Sequence, residues 1–274
     1  MISSVPSIPD AADAGSSVQA VAYTLRTGVA LCFIGHGAFG VITKQAWVPY
    51  FAVVGIGRET AFHWMPLIGA LDIFFGVLTF IQPRAALLVW MTAWALWTAS
   101  LRPLAGEPFW EALERAGNYG VPFALLLMGE TRGGWRSWFG PLRLRALSPR
   151  LTRQLQLALI ATTVLLLMGH GALAELTTPT LVNHAALLSV PMDPVIVTKI
   201  FGSVDIGLAA LLLWRPAFRV CLIILAWKLA AESLFLFAGS PVWEVVERAG
   251  SYAAPLALAL TYSTRFRHAS GIVR

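Results

Sequence analysis

The sequence predicts an all-α integral membrane protein: eight transmembrane helices in two parallel four-helix repeats, related by a pseudo-twofold axis along the membrane normal. Three observations predict it. First, 57% of the 274 residues are hydrophobic and 12% charged, with a mean hydropathy of +0.71, whereas a soluble domain carries about 25% charged residues. That leaves too little polar surface for a water-soluble globule, and it excludes a disordered chain, which needs low hydrophobicity and high charge. Second, the apolar residues fall into segments close to the roughly 20 residues that carry a helix across a bilayer. Third, the chain repeats itself.

The segments run in order. Residues 1–20 lack the basic start and apolar core of a signal peptide and read as a polar tail. Spans at 21–43, 61–81, 84–101 and 109–130 make the first repeat (21–130). An Arg-rich connector follows (131–154), then spans at 155–175, 195–214, 217–237 and 243–263 (second repeat, 155–263) and a basic tail (264–274). An even number of spans puts both termini on one side. That side receives thirteen of the twenty Lys and Arg, the other six, and Lys228 falls within a span. The excess orients both termini to the cytoplasm of an inner (plasma) membrane. The connector carries six Arg beside Trp135, Trp138 and Phe139. Arg among aromatics could suit nucleic acid, but a segment lying on anionic headgroups is strongly favoured because it also satisfies the orientation rule, so the expected partner is the lipid bilayer and not nucleic acid. Cys32 and Cys221 lie in apolar runs, which argues against disulfides or a cysteine metal site.

The duplication is the strongest signal. AGEPFWEALERAGNY (105–119) recurs as AGSPVWEVVERAGSY (238–252), with ten of fifteen positions identical. At the same offset of 133, residues 94–128 match 227–261 at 18 of 35 positions, and Asp72 matches Asp205. Gly35-His36-Gly37-Ala38 recurs as Gly169-His170-Gly171-Ala172 at offset 134. Four spans per repeat insert both repeats in the same direction, so the axis lies along the membrane normal.

Candidate polar residues follow the repeats. Glu111, Glu114 and Arg115 sit at the start of the fourth span, with Glu244, Glu247 and Arg248 as their copies. They suit either a charged helix N-terminus or a polar site. Pro122 and Pro255 free the carbonyls of Asn118 and Ser251, giving a bent elbow beside Tyr119 or Tyr252. His36 lies about 22 Å from the cytoplasmic edge, flanked by glycines that allow close helix approach. His36 and His170 are structural hydrogen-bonding residues or ligands; one histidine per repeat with no other haem signal speaks against haem. Asp72 and Asp205 lie mid-span, where an ionisable group costs roughly 2.5–3.5 kcal/mol and needs a partner. Lys228 and Glu232 share a face of the seventh span and replace Ala95 and Ala99 of the first repeat. Depth arithmetic puts Lys228 about 17 Å and Asp205 about 15 Å in from opposite faces. The expectation is therefore a Lys228–Asp205 pair with Glu232 as second acceptor, or a cross-repeat pair with Asp72. A second expectation joins His36 to Glu111 and Glu114 of its own repeat, and His170 to Glu244 and Glu247.

The four-span unit, the Gly-His-Gly near the end of the first span and the acidic-aromatic start of the fourth, followed by Pro122-Phe123-Ala124-Leu125, resemble the DoxX-like family of small four-helix membrane proteins. The resemblance covers each repeat, although a tandem eight-span chain departs from the usual single unit. It implies association with quinone-coupled redox systems as a partner of other membrane subunits. The leading expectation is thus a non-catalytic or redox-accessory subunit in contact with quinone or lipid. The alternatives are a small-solute or proton transporter using Asp72, Asp205 and Lys228, and a membrane enzyme acting on lipid or quinone through His36 and Glu111. Nucleotide, flavin, zinc and phosphate motifs are not visible.

Overall fold

The structure, a computed structural model, describes residues 11–146, 148–263 and 266, with side chains from residue 16. The first ten residues and all of the expected basic tail (264–274) except Phe266 lie outside the described residues. Regular structure among the described residues is helical, apart from an isolated bridge between Gly129 and Leu144. The helices are α1 (Ala11–Val41), α2 (Val48–Val53), α3 (Arg58–Ile81), α4 (Ala85–Leu104), α5 (Trp110–Glu114), α6 (Ala116–Met128) and α7 (Trp135–Phe139). They continue as α8 (Pro149–Glu175), α9 (Pro179–Ala186), α10 (Pro194–Trp214), α11 (Phe218–Phe237), α12 (Trp243–Glu247) and α13 (Ala249–Thr261).

Five helices are long and apolar enough to cross a membrane: Ser16–Val41 within α1, then α3, α8, α10 and α11. Their outward faces carry bare apolar side chains such as Leu67, Phe74, Ile223 and Trp214. Soluble monomers rarely expose contiguous apolar patches beyond a few hundred Å². The molecule is a membrane protein.

Helix boundaries depart from the expected spans for local reasons. α1 is described from Ala11, so residues 11–20 of the expected polar tail are helical. α8 begins at Pro149, where Ser148 caps the helix by accepting from the Leu151 N–H at 3.2 Å and the proline presets the first turn. Arg150 and Arg153 therefore ride on α8 instead of a connector. The expected span at 109–130 is two helices, because Arg115 leaves helical geometry (ψ 11°) between α5 and α6. Arg248 does the same (ψ 12°) between α12 and α13. The elbow expected at Asn118 and Ser251 thus falls three residues earlier. The short α2 and α9 were not expected at all, although each starts with a proline in its first turn.

α1 packs on α3 and α13, and α8 on α10 and α6, around a core that includes Leu25, Val29, Leu125, Leu159 and Leu258. The Gly-His-Gly triplets make these crossings possible. A Cβ on Gly35 would collide with the α12 backbone at Glu247, and one on Gly37 with the α3 backbone at Gly69. Gly169 and Gly171 meet Glu114 and Gly202 in the same way. Each histidine is thereby held between a helix of its own half and a broken helix of the other half.

This packing generates a contrast that thermal unfolding in detergent can read. Gly169→Ala should destabilise by at least the roughly 1–3 kcal/mol typical of overpacking, because the obstacle is backbone. Gly207→Ala, where an added Cβ meets nothing within 4 Å, should leave the melting temperature unchanged or slightly raised.

Candidate functional site

The functional candidates gather at the end of the bundle that carries α5 and α12. There the broken helices bring carboxylates and guanidinium groups into an apolar interior, and burial forces them to neutralise one another. Arg248, 7% exposed, is the centre. It approaches Glu244 (2.6 Å), Glu232 (2.8 Å), Glu247 (3.4 Å) and Glu114 (3.6 Å). Its guanidinium also lies over the Phe235 ring at 4.1 Å. Arg115 pairs with Glu247 at 2.7 Å and Glu114 at 3.5 Å. Lys44, before α2, reaches Glu244 at 2.7 Å.

The two histidines have diverged. His36 Nδ1 lies 2.9 Å from Asp72, and the ring stacks on Trp47 with centroids 4.5 Å apart. His170 Nδ1 donates to the Leu166 carbonyl at 3.1 Å, while Nε2 lies 3.2 Å from Glu114 and 3.3 Å from Glu232. The expected grouping of each histidine with the acids of its own fourth span is not what forms. His170 meets Glu114 of the first half, because Gly169 brings α8 against α5. Glu111 turns instead to Arg102 at 3.2 Å.

The expected Lys228–Asp205 pair does not form either. Among the described residues, the ion pair of Lys228 within 4 Å is with Glu232 at 3.1 Å. Asp205 accepts a 2.8 Å hydrogen bond from the Trp227 indole. Both residues nonetheless line one small cavity. The i, i+4 spacing gives Lys228 a nearer acceptor on its own helix. The cross-repeat alternative with Asp72 is closed by His36. Tyr119 donates to the Ala112 carbonyl at 3.3 Å, and the Tyr252 hydroxyl is buried without a partner among the described residues.

Beside this network, the first half holds a cavity of about 200 Å³. Its walls are aromatic (Trp47, Tyr50, Trp94, Trp97), and its polar groups include His36, Arg102, Arg115 and Asn118. α2 covers it. Tyr50 donates to Glu107 at 2.5 Å and accepts from Arg102 at 3.1 Å. Burial, opposed by Arg102, pushes the Tyr50 phenol above its usual range, so it stays protonated at neutral pH. Trp94 contributes an indole N–H that is buried and lacks a partner among the described residues. Its counterpart Trp227 spends the same N–H on Asp205. In the first half the equivalent carboxylate, Asp72, is engaged by His36 instead. Sequence reading passed over Trp94, Arg102 and the α2 aromatics. The signals present were the Trp94/Trp227 match and the aromatic-rich run Trp47-Val48-Pro49-Tyr50-Phe51.

Set against family models, curated proteins and solved structures, the chain matches none of them.

The buried network makes a quantitative prediction. Glu232→Ala alone strands Lys228 and should cost about 3–5 kcal/mol, the range for removing one partner of a buried pair. Adding Lys228→Ala should recover a good part of that loss in a double-mutant cycle. Additive losses by thermal unfolding would show that the two side chains do not neutralise each other.

Proposed function

We propose that the chain is a DoxX-like, multi-pass inner-membrane subunit that binds a lipid-soluble quinone in the first-half cavity and serves a redox system as an accessory, non-catalytic partner of other membrane subunits. The observation that carries the ligand is the aromatic-walled space itself, beside which the Trp94 N–H is buried without a partner among the described residues. A cavity of roughly 150 Å³ holds one benzene ring, so about 200 Å³ suits a single substituted ring. Trp94, Arg102, Arg115 and Asn118 are capable of donating hydrogen bonds, which favours an acceptor such as a ring carbonyl. The cations around the cavity are already paired with carboxylates, which favours an uncharged ligand. Transport through Asp72, Asp205 and Lys228 has less support, since each of the three is already engaged by a neighbour.

In this reading the membrane is crossed eight times. α4 adds a sixth crossing, and the broken pairs α5–α6 and α12–α13 add the last two. Two observations support a pseudo-twofold axis along the membrane normal. The bounds of α4, α5 and α6 recur in α11, α12 and α13 at an offset of 133. Contacts between the halves are also reciprocal, Gly35 on Glu247 and Gly169 on Glu114. The distribution of Lys and Arg, thirteen against six, supports cytoplasmic termini. The exposed Trp135 and Phe139 of α7 support a connector resting on lipid headgroups.

Titrating the purified protein with a short-chain benzoquinone, followed by tryptophan quenching, should give saturable binding. Trp94→Phe should weaken it about fivefold to tenfold, the worth of one hydrogen bond of roughly 1–1.5 kcal/mol. Binding that does not saturate, or an affinity untouched by Trp94→Phe, would overturn the ligand assignment.

A further inference from the structure

The second half contains the same frame around a different interior. Ala95, Thr98, Ala99 and Arg102 line the first cavity, and their counterparts Lys228, Ala231, Glu232 and Phe235 line the second, 133 residues on. α9 covers that place as α2 covers the first, with His184 and Ala185 lining it from above. His184 sits edge-on to Phe235 at 4.4 Å. Yet the second space measures only about 50 Å³. That is well below the roughly 150 Å³ of a cavity that holds one benzene ring, so no ring fits.

Of those four positions, two turn an alanine into a long charged side chain. Lys228 and Glu232, 1% and 2% exposed, project where the first half has alanine. They hold each other at 3.1 Å, and Arg248 and His170 fix Glu232 from the side. The same pair accounts for the rearranged hydrogen bonds. Glu232 engages His170, Asp205 accepts from Trp227, and the indole donor that is unpartnered in the first half is satisfied in the second.

The geometry points to a stoppered second copy of the ring-binding cavity: the Lys228–Glu232 pair fills the volume a ring ligand takes in the first half, so the chain accepts one uncharged, acceptor-bearing ring and not two. The ligand class rests on the reading given above; the stopper itself does not. Replacing both residues by the first half's alanines removes one charge of each sign and opens the space.

Accessibility can be read without any ligand. Thr98→Cys and Ala231→Cys place thiols in the two cavities, and N-ethylmaleimide labelling located by peptide mass compares them, with buried Cys32 and Cys221 as internal references. In the otherwise native chain, the thiol at 98 should react about tenfold faster than that at 231, since access governs thiol reactivity. In the Lys228→Ala/Glu232→Ala background, position 231 should approach the rate of position 98, and bound short-chain benzoquinone should rise from one to two per chain. The converse variant, Ala95→Lys/Ala99→Glu, should slow labelling at 98 and abolish binding. Equal native rates, or a folded opened variant with 231 still slow, would overturn the stopper. If the opened variant does not fold, unchanged labelling at 98 in the converse variant overturns it. If the thiols behave as expected but no benzoquinone binds to any form, the stopper stands and the quinone assignment falls.

Discussion

Arg248 sets the condition that the rest of the structure must meet. A guanidinium cannot lose its proton at any physiological pH, and an isolated charge in an apolar interior costs several kcal/mol. Burying it therefore requires carboxylates from several directions. α12 supplies Glu244 and Glu247, α11 supplies Glu232, and α5 of the other half supplies Glu114. Their convergence fixes how α11 approaches α12 and how the two halves dock. The helix breaks at Arg115 and Arg248 belong to the same constraint, because they let short acidic helices turn into the bundle end while α6 and α13 continue through the core.

On the two-repeat reading proposed above, the two halves have taken different courses from one plan. With alanine at 95 and 99, the first half keeps its charges at the margin of a space, and His36 settles on Asp72. With Lys228 and Glu232, the second half draws its charges into the space and pulls His170 into the network. Two residues thus decide whether a half contains room or filling. The change adds one charge of each sign, so the net charge of the half is unaltered.

How much of this was legible in the sequence depended on the range of the interaction. Hydropathy and the duplication gave the helical membrane class, because apolar runs and identical stretches are local properties. The mid-span acids and Lys228 were recognisable as residues in need of partners, since the cost of an unpaired intramembrane charge does not depend on the fold. The partners were not legible. Pairing His170 with Glu114 requires knowing that Gly169 closes on α5 of the other half, which no spacing encodes. Lys228 was misassigned because depth puts Asp205 at the right level but cannot show that Trp227 has taken it. The cavity was invisible for a related reason: it arises from alanines, where side chains are missing, and from α2, too short to register as a span.

The interlocking of the halves also governs how the chain can be made. Arg115 and Glu247 are separated by 132 residues. At synthesis rates of about 5–20 residues per second, Arg115 is made roughly 7–26 s before its partner exists. Until then the guanidinium has Glu114 beside it and otherwise depends on water or lipid headgroups. The first half therefore cannot reach its final arrangement in the membrane as an independent unit. The Arg115 wall of the N-terminal cavity is thus completed only once α12, with Glu247, has been made.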